Sequence, residues 1–185
     1  MVTLRFGNGI TWPLQAAFVM PLIFASVVAQ SNQKDPNMIP PSLPLVYARW
    51  VDEDVRWIIT PDERKAFLRL SKNDERDQFV EQFWLRRDPT ANTSRNEFKE
   101  EHYRRIAYAN EHFPWQAVPG WKTDRGRIYI IYGPPDAIES ALPSSQSLKA
   151  SALWHYRAVT KYGRDLKFVD VCGCGDYQLE TLPND

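Results

Sequence analysis

The sequence lacks the short motifs that identify several large enzyme classes. It contains no glycine-rich phosphate loop, no HExxH zinc signature and no GxSxG nucleophile turn. It has only three histidines and two cysteines, and no histidine stands at a zinc-site spacing from the cysteine pair. The sequence therefore predicts no cofactor, favours no metal site and indicates no particular reaction.

An excess of charge of one sign is also absent. The chain has 23 Lys and Arg residues against 23 Asp and Glu residues. Removal of an N-terminal leader that contains Arg5 changes this balance by one charge. Because binding to nucleic acid or anionic lipid through charge needs a basic surface, the balance gives no case for either partner.

The one long apolar stretch lies near the N-terminus. Residues 14–29 read LQAAFVMPLIFASVVA, and Arg5 is the only charged residue before them. Val27 and Ala29 are small residues at the −3 and −1 positions of a cut before Gln30. A basic start, a short apolar run and a small-x-small site are typical of a cleavable secretory signal peptide.

An uncleaved membrane anchor is the alternative to this signal peptide. The apolar run is shorter than the roughly 20 residues of a spanning helix, and Pro21 interrupts it. We therefore predict a signal peptide over residues 1–29 and a mature chain without a membrane span. Periplasm, cell surface and medium all remain open as its destination.

The mature chain divides into a spacer and one domain. Residues 30–44 are polar and contain four prolines, which disfavour helix and central strand, so we predict a flexible or polyproline-like spacer. Residues 45–185 are long enough for a single domain with its own core.

The first half of this domain carries helix start signals. Ser or Thr is followed three residues later by an acidic residue at Thr60, Ser71 and Ser94, and Pro61 takes the first helical position. These patterns predict a short helix after Thr60 and longer helices over about 72–87 and 95–112.

The second half carries short β-like runs. The segment 127–132 (RIYIIY) is apolar at both parities, which favours a strand covered on both faces. Segments 153–159 and 166–171 read as a hairpin, and 177–181 alternates like an edge strand. The predicted fold is α+β, with about three N-terminal helices packed on a small, mostly antiparallel sheet.

The segment GWKTDRGRIYIIYGPPDAIES, residues 120–140, carries a resemblance to a known family. With matching sequence over roughly residues 50–181, it resembles the GWxTD-domain family of exported bacterial proteins. The resemblance implies export. It implies no reaction, substrate or catalytic residue.

Two turn-like loops flank the segment 127–132 and carry the candidate functional residues. These residues are Trp121, Thr123, Asp124, Arg125, Arg127 and Asp136. On one interpretation, which we favour, they cap turns, fill the core and join helices to sheet, with Asp136 capping a short helical turn over 137–139. On the other, the charged members face a cleft.

Cys172 and Cys174 are separated by one glycine. In an oxidising compartment such a pair can form a local disulfide, which is the interpretation we favour. Two soft metal ligands are the alternative.

The sequence is compatible with three functional hypotheses. The leading hypothesis is a non-enzymatic envelope or extracellular module that binds an unknown macromolecule. The second is an exported hydrolase that uses carboxylates of the GWKTD and GPPD loops. The third is a thiol or metal site at Cys172 and Cys174.

Overall fold

The computed structural model describes residues 38–40, 42–90, 93–144, 148–161 and 163–180. The predicted signal peptide lies outside these residues, as does the predicted spacer up to residue 37. Within the described ranges, no helix is long and apolar enough to cross a bilayer.

Helices precede a four-stranded sheet along the chain. The α-helices of the described residues are Leu45–Arg49 (α1), Pro61–Arg69 (α2), Asn73–Leu85 (α3), Glu97–His112 (α4) and Asp124–Tyr132 (α5). A π-helical turn, Trp50–Asp54, continues α1, and a 3₁₀ turn, Gly120–Lys122, precedes α5. The strands are Ala137–Ala141 (β1), Ser151–Thr160 (β2), Gly163–Asp170 (β3) and Tyr177–Leu179 (β4). The predicted α+β class is confirmed.

The first predicted capping box is confirmed. Thr60 Oγ1 accepts a hydrogen bond from the Glu63 amide at 3.2 Å, and the Glu63 carboxylate accepts one from the Thr60 amide at 3.0 Å. This reciprocal pair satisfies two amides that the first helical turn leaves without a partner. Helix α2 therefore begins where the sequence predicts it.

The other two predicted caps are displaced. Helix α3 begins at Asn73, and its capping carboxylate belongs to Glu75, which accepts from the Lys72 amide. Helix α4 begins after Asn96, whose side-chain oxygen accepts from the Lys99 amide at 2.8 Å. Asparagine is as good an N-cap as serine, so a start signal two residues upstream could not decide between them.

The strand predicted over residues 127–132 is wrong, because this segment forms most of helix α5. The helix is buried on two sides: Ile128 packs in the sheet cluster, and Ile130 packs with Trp121 and Ala109. A helix covered on several sides is apolar at both parities, so the period that separates helix from strand is lost. Tertiary packing here overrides the β-propensity of isoleucine and tyrosine.

The sheet is antiparallel with the order β1-β2-β3-β4, so that sequential strands are neighbours. The predicted hairpin is confirmed as β2 and β3, and the predicted last strand as β4. The predicted helical turn over 137–139 is wrong, because these residues begin β1, which pairs Ile138 with Trp154. The backbone of residues 137–139 pairs with β2 and therefore does not form a helical turn.

In the part of the chain that the structure describes, three groups of buried side chains stabilise the fold. One lies among α1, α2 and α3 and includes Trp50, Phe67 and Phe83. A second lies between the sheet and α5, around Trp154 and Phe168. The third, smaller group joins α4 to the turn before α5. This last group surrounds the GWKTD motif.

Candidate functional site

The GWKTD motif lies where α4, the 3₁₀ turn and α5 meet. A Cβ on Gly120 would lie 1.8 Å from the Ala109 carbonyl oxygen, so only glycine fits against α4. Trp121 is buried, with 7% of its surface exposed. Its amide donates to Asn110 Oδ1 at 3.0 Å, and its carbonyl oxygen accepts from Trp57 Nε1 at 2.9 Å. Gly120 is thus in close contact with α4, and Trp121 is buried and hydrogen-bonded through both its amide and its carbonyl oxygen.

Thr123 is the N-cap of α5. Its hydroxyl donates to the Gly120 carbonyl oxygen at 2.8 Å and accepts from the Gly126 amide at 3.2 Å. A Cβ on Gly126 would lie 1.8 Å from the Gly120 carbonyl oxygen, so the 3₁₀ turn and the helix are in direct backbone contact. The turn chemistry predicted for this loop is therefore helix capping.

Asp124 connects α5 to the far strand of the sheet. Its Oδ2 accepts a hydrogen bond from the Leu179 amide of β4 at 2.9 Å, and its Oδ1 accepts from Arg127 Nη2 at 2.9 Å. Both carboxylate oxygens therefore have partners. The Leu179 amide, which would otherwise be an open donor at the edge of the sheet, is capped.

The two arginines of the motif region contact aromatic rings. The Arg125 guanidinium lies 4.2 Å from the centre of the Tyr177 ring and 5.2 Å from that of Phe113. Burial lowers the pKa of Arg125, although nearby Asp170 and other groups favour the charged form. Arg127 lies 5.8 Å from the ring centre of Trp57. Arg125 thus packs between strand β4 and the residue after α4, whereas Arg127 packs against the segment between the π-helical turn and α2.

Asp136 lies beyond the other end of α5 and does not join this cluster. Its Oδ2 accepts from the Arg157 amide at 2.7 Å, and its Oδ1 pairs with Arg157 Nε at 2.9 Å. Asp124 and Asp136 are separated by the full length of α5, roughly 12 Å of helix axis. The structure thus brings Trp121, Thr123, Asp124, Arg125 and Arg127 together and leaves Asp136 apart.

The loop between β3 and β4 holds Cys172 and Cys174, which are joined in a disulfide with their Cα atoms 5.2 Å apart. The buried carboxylate of Asp170 accepts hydrogen bonds from the Cys174 amide at 3.1 Å and the Gly175 amide at 2.9 Å. Trp115 Nε1 donates to the Cys174 carbonyl oxygen at 3.2 Å. Asp170 is not among the residues predicted from the sequence, although an aspartate before a glycine-rich turn is a known signal for backbone capping.

Asp170, Cys172 and Cys174 place one ligand atom each within 4.8 Å of one another. The two sulfur atoms are bonded to each other, however, and metal binding requires thiolates. His102 does not reach this group, because it is buried and its Nε2 contacts the Asp54 carbonyl oxygen at 2.6 Å. Burial lowers the pKa of His102.

An open groove of about 410 Å³ lies between the π-helical turn and α2. Its charged side chains include Asp52, Arg56 and Arg64. Asp52 Oδ1 contacts Arg56 Nη1 at 3.1 Å and Arg64 Nη2 at 3.3 Å. Because the carboxylate holds both guanidinium groups, the groove does not present a patch of one charge.

Strand β1 forms the exposed edge of the sheet. All five of its residues are exposed, and Ile138 keeps 55% of its surface accessible. Leu142, directly after β1, and Leu148, shortly before β2, are 82% and 89% exposed. Within the described residues, no strand lies against the outer edge of β1. Among the described residues, Asp124 thus caps the Leu179 amide at one edge of the sheet, and the other edge, formed by β1, is open.

Comparison with known proteins identifies a family but no individual relative. The family model described as the GWxTD domain matches residues 45–172, well over half of the chain. No curated protein matches significantly, and neither does any solved structure. Since the match includes α1 to α5, the motif and the sheet up to the first cysteine, the chain belongs to the GWxTD-domain family.

Proposed function

We propose that this protein is an exported, non-enzymatic module that binds another polypeptide along strand β1. The observation that carries the proposal is the contrast between the two edges of the sheet. The Leu179 amide at the β4 edge is bonded to Asp124, whereas β1 is exposed along its whole length. An open edge strand presents backbone donors and acceptors to which an extended segment of a partner can add.

The side chains of β1 suggest the chemistry of such a partner. Ile138 lies opposite Trp154, which in turn lies opposite Leu166, so all three share the face that carries the sheet cluster. A partner strand with an apolar residue beside Ile138 would extend this cluster over the open edge. The gain is about 25 cal/mol for each Å² of apolar surface that leaves water.

Leu142 and Leu148 extend the apolar surface beyond the end of β1. Both are more exposed than Ile138, and they lie in the connection between β1 and β2. An extended segment with apolar residues at alternate positions fits this surface, because alternate side chains of a strand point to the same face. We therefore propose an extended, partly apolar polypeptide of the cell envelope as the partner.

The hydrolase alternative receives less support from the geometry. Paired-carboxylate glycosidases hold their two groups about 5 to 9.5 Å apart. Asp124 and Asp136 lie beyond opposite ends of α5, and each carboxylate is engaged by an arginine and a backbone amide. Neither is therefore placed as a free base beside the other.

Export itself is proposed on the N-terminal signal. The mass of the chain recovered from the envelope or medium tests it directly. A mature protein that begins at Gln30 is expected. Recovery of the full-length chain from the cytoplasmic fraction would contradict the proposal.

Binding at β1 can be tested with three forms of the mature chain: wild type, Ile138→Lys and Leu45→Lys. Leu45 is the matched control, because it is an exposed apolar residue, 83% accessible, on α1 and not on the sheet. The three proteins are used to capture partners from a native envelope extract. We expect a partner that wild type and Leu45→Lys retain and that Ile138→Lys loses.

Hydrogen exchange on the purified complex then locates the contact. Backbone amides of residues 137–141 are expected to exchange more slowly in the complex than in the free protein. Equal recovery of every partner by all three proteins would refute binding at β1. Protection confined to other elements would refute it as well.

A further inference from the structure

The disulfide between β3 and β4 does not link residues that are distant in the chain. Cys172 and Cys174 enclose only Gly173, and both cysteines are exposed. A disulfide that closes so short a loop restricts the unfolded chain much less than one that closes a long loop. Global stability is therefore a weak reason for this bond, and its exposure makes it accessible to outside thiols.

We propose that the Cys172–Cys174 disulfide is a thiol–disulfide exchange site that reacts with a dithiol of another protein. Exchange begins when an outside thiolate attacks one sulfur, so the sulfur must be reachable. Both cysteines meet this requirement because they lie in an exposed turn. The site lies at the β3–β4 side of the sheet and does not depend on binding at β1.

Cys172 Sγ lies 3.7 Å from Asp170 Oδ1, but the hydrogen bonds that Asp170 and Trp115 make to the loop reach backbone atoms and therefore do not require the disulfide. Asp170 is 6% exposed and accepts hydrogen bonds from the Cys174 and Gly175 amides. The Trp115 indole donates to the Cys174 carbonyl oxygen. These contacts hold the turn in place when the disulfide is open, so that the two thiols stay beside each other. Asp170 is thus a positioning residue.

The proposed step balances as a two-electron exchange. A thiolate of the partner attacks one cysteine sulfur, the Cys172–Cys174 bond breaks, and the other cysteine leaves as a thiolate with the electron pair. The second thiolate of the partner then attacks the mixed disulfide and releases the first cysteine. The partner is oxidised to its disulfide, and the two cysteine thiolates take up two protons, which balance the two that the thiols of the partner released.

A glutathione titration of the full mature chain tests the site. The oxidised protein is equilibrated with mixtures of reduced and oxidised glutathione, and its free thiols are then alkylated. Mass spectrometry measures the fraction of protein with an open disulfide, and circular dichroism shows whether the domain is folded. We expect the disulfide to open and re-form reversibly in the folded protein. A bond that stays closed in excess reduced glutathione until the domain is unfolded would refute the proposal, because structural disulfides behave in that way.

Single-cysteine variants test whether the two sulfurs act as a pair. In Cys172→Ser and Cys174→Ser, the remaining thiol has no neighbour to displace glutathione. Each variant is expected to carry one glutathionyl group after oxidised glutathione is added, whereas the wild type carries none at equilibrium. Accumulation of the same adduct on the wild-type protein would show that the two thiols do not resolve it.

Asp170→Ala tests the positioning role, with Asp176→Ala as the matched control. Asp176 lies in the same loop, but its carboxylate accepts from the exposed Gln178 side chain at 2.8 Å. Loss of hydrogen bonds to a charged group is expected to lower the equilibrium constant for closing the disulfide about tenfold in Asp170→Ala. Asp176→Ala is expected to close the disulfide with the same equilibrium constant as wild type.

Asp170→Asn keeps the side-chain volume, and it tests the positioning role of Asp170 if Asp170→Ala does not fold. A smaller shift in the same direction is expected, because the amide oxygen still accepts a hydrogen bond but lacks the charge. Unchanged closing equilibria in the folded Asp170 variants would refute the positioning role.

Discussion

Each fixed letter of the GWKTD motif has a separate structural task. Gly120 allows close contact with α4, Trp121 fills the small core beside it, and Thr123 caps α5. Asp124 binds across to β4. Lys122, the variable position, has its ammonium 4.9 Å from the Trp121 ring centre and makes no comparable contact with another element among the described residues. At the scale of residues, the motif marks a junction in the fold.

Gly120→Ala should be one of the most damaging single changes in the domain. The added Cβ would overlap the Ala109 carbonyl oxygen, so α4 and the 3₁₀ turn must separate. We expect a loss of about 3 kcal/mol in the free energy of unfolding, at the upper end for overpacking. Urea denaturation followed by circular dichroism measures it.

Gly173→Ala is the control for this change. Gly173 has a φ of 68° and open space around its Cα, so alanine there meets backbone strain without a clash. Strain of this kind costs about 1 to 2 kcal/mol. Equal losses in the two variants would contradict the close-contact explanation for Gly120.

At the scale of elements, the sequence predicted α2, α3 and α4 and strands β2, β3 and β4, but not α1, α5 or β1. Helices α2, α3 and α4 have clear start signals, and β2 and β3 have strand-like composition between turn residues. Helix α5 was missed because it is buried between α4 and the sheet, and its apolar residues show no helical period. The cap at Thr123 was visible as turn chemistry, but a turn and a helix start share the same residues.

Asp124 is expected to control the docking of β4 on α5. In Asp124→Ala the Leu179 amide and the Arg127 guanidinium lose an acceptor, and such losses cost about 1 to 3 kcal/mol. Urea denaturation measures the total loss. Hydrogen exchange should show faster exchange at Leu179, with α2 and α3 less affected.

Asp74→Ala is the matched control, because Asp74 is an exposed acidic residue in the first turn of α3. Both aspartates interact with a helix dipole, but only Asp124 bonds to another element. If Asp74→Ala is as destabilising as Asp124→Ala, the contribution of Asp124 is local to its helix.

At the scale of the whole molecule, the class and the order of helices before sheet followed from composition and pattern. The assembly of the site did not. Asp124 accepts from the Leu179 amide across 55 positions of the chain, and Trp57 donates to the Trp121 carbonyl oxygen across 64 positions. Contacts of that separation depend on how the elements pack. No local pattern contains this information, so sequence alone named residues of the junction without their partners.

The dependence of stability on pH gives a test at this scale, through Glu63. Burial opposes ionisation of this carboxyl, but hydrogen bonds from Arg87, the Thr60 amide and Arg86 outweigh it and lower its pKa to about 2. The ordinary pKa of glutamate, near that of the unfolded chain, is about 4.3. Since the folded value is lower, Glu63 stabilises the fold fully above the unfolded pKa, and this contribution is lost as the pH falls towards 2.

Glu63→Gln should therefore lower the free energy of unfolding at neutral pH, and the loss should be smaller in acid. The change removes charge from the capping box of α2 and from the ion pairs with Arg86 and Arg87, which follow α3. We expect a loss of about 1 to 2 kcal/mol at neutral pH, measured by urea denaturation. The difference from wild type should narrow steadily below about pH 4. Glu81→Gln, an exposed position on α3, should stay within about 0.5 kcal/mol of wild type at every pH. A difference between Glu63→Gln and wild type that is constant with pH would show that the Glu63 charge does not link α2 to the end of α3.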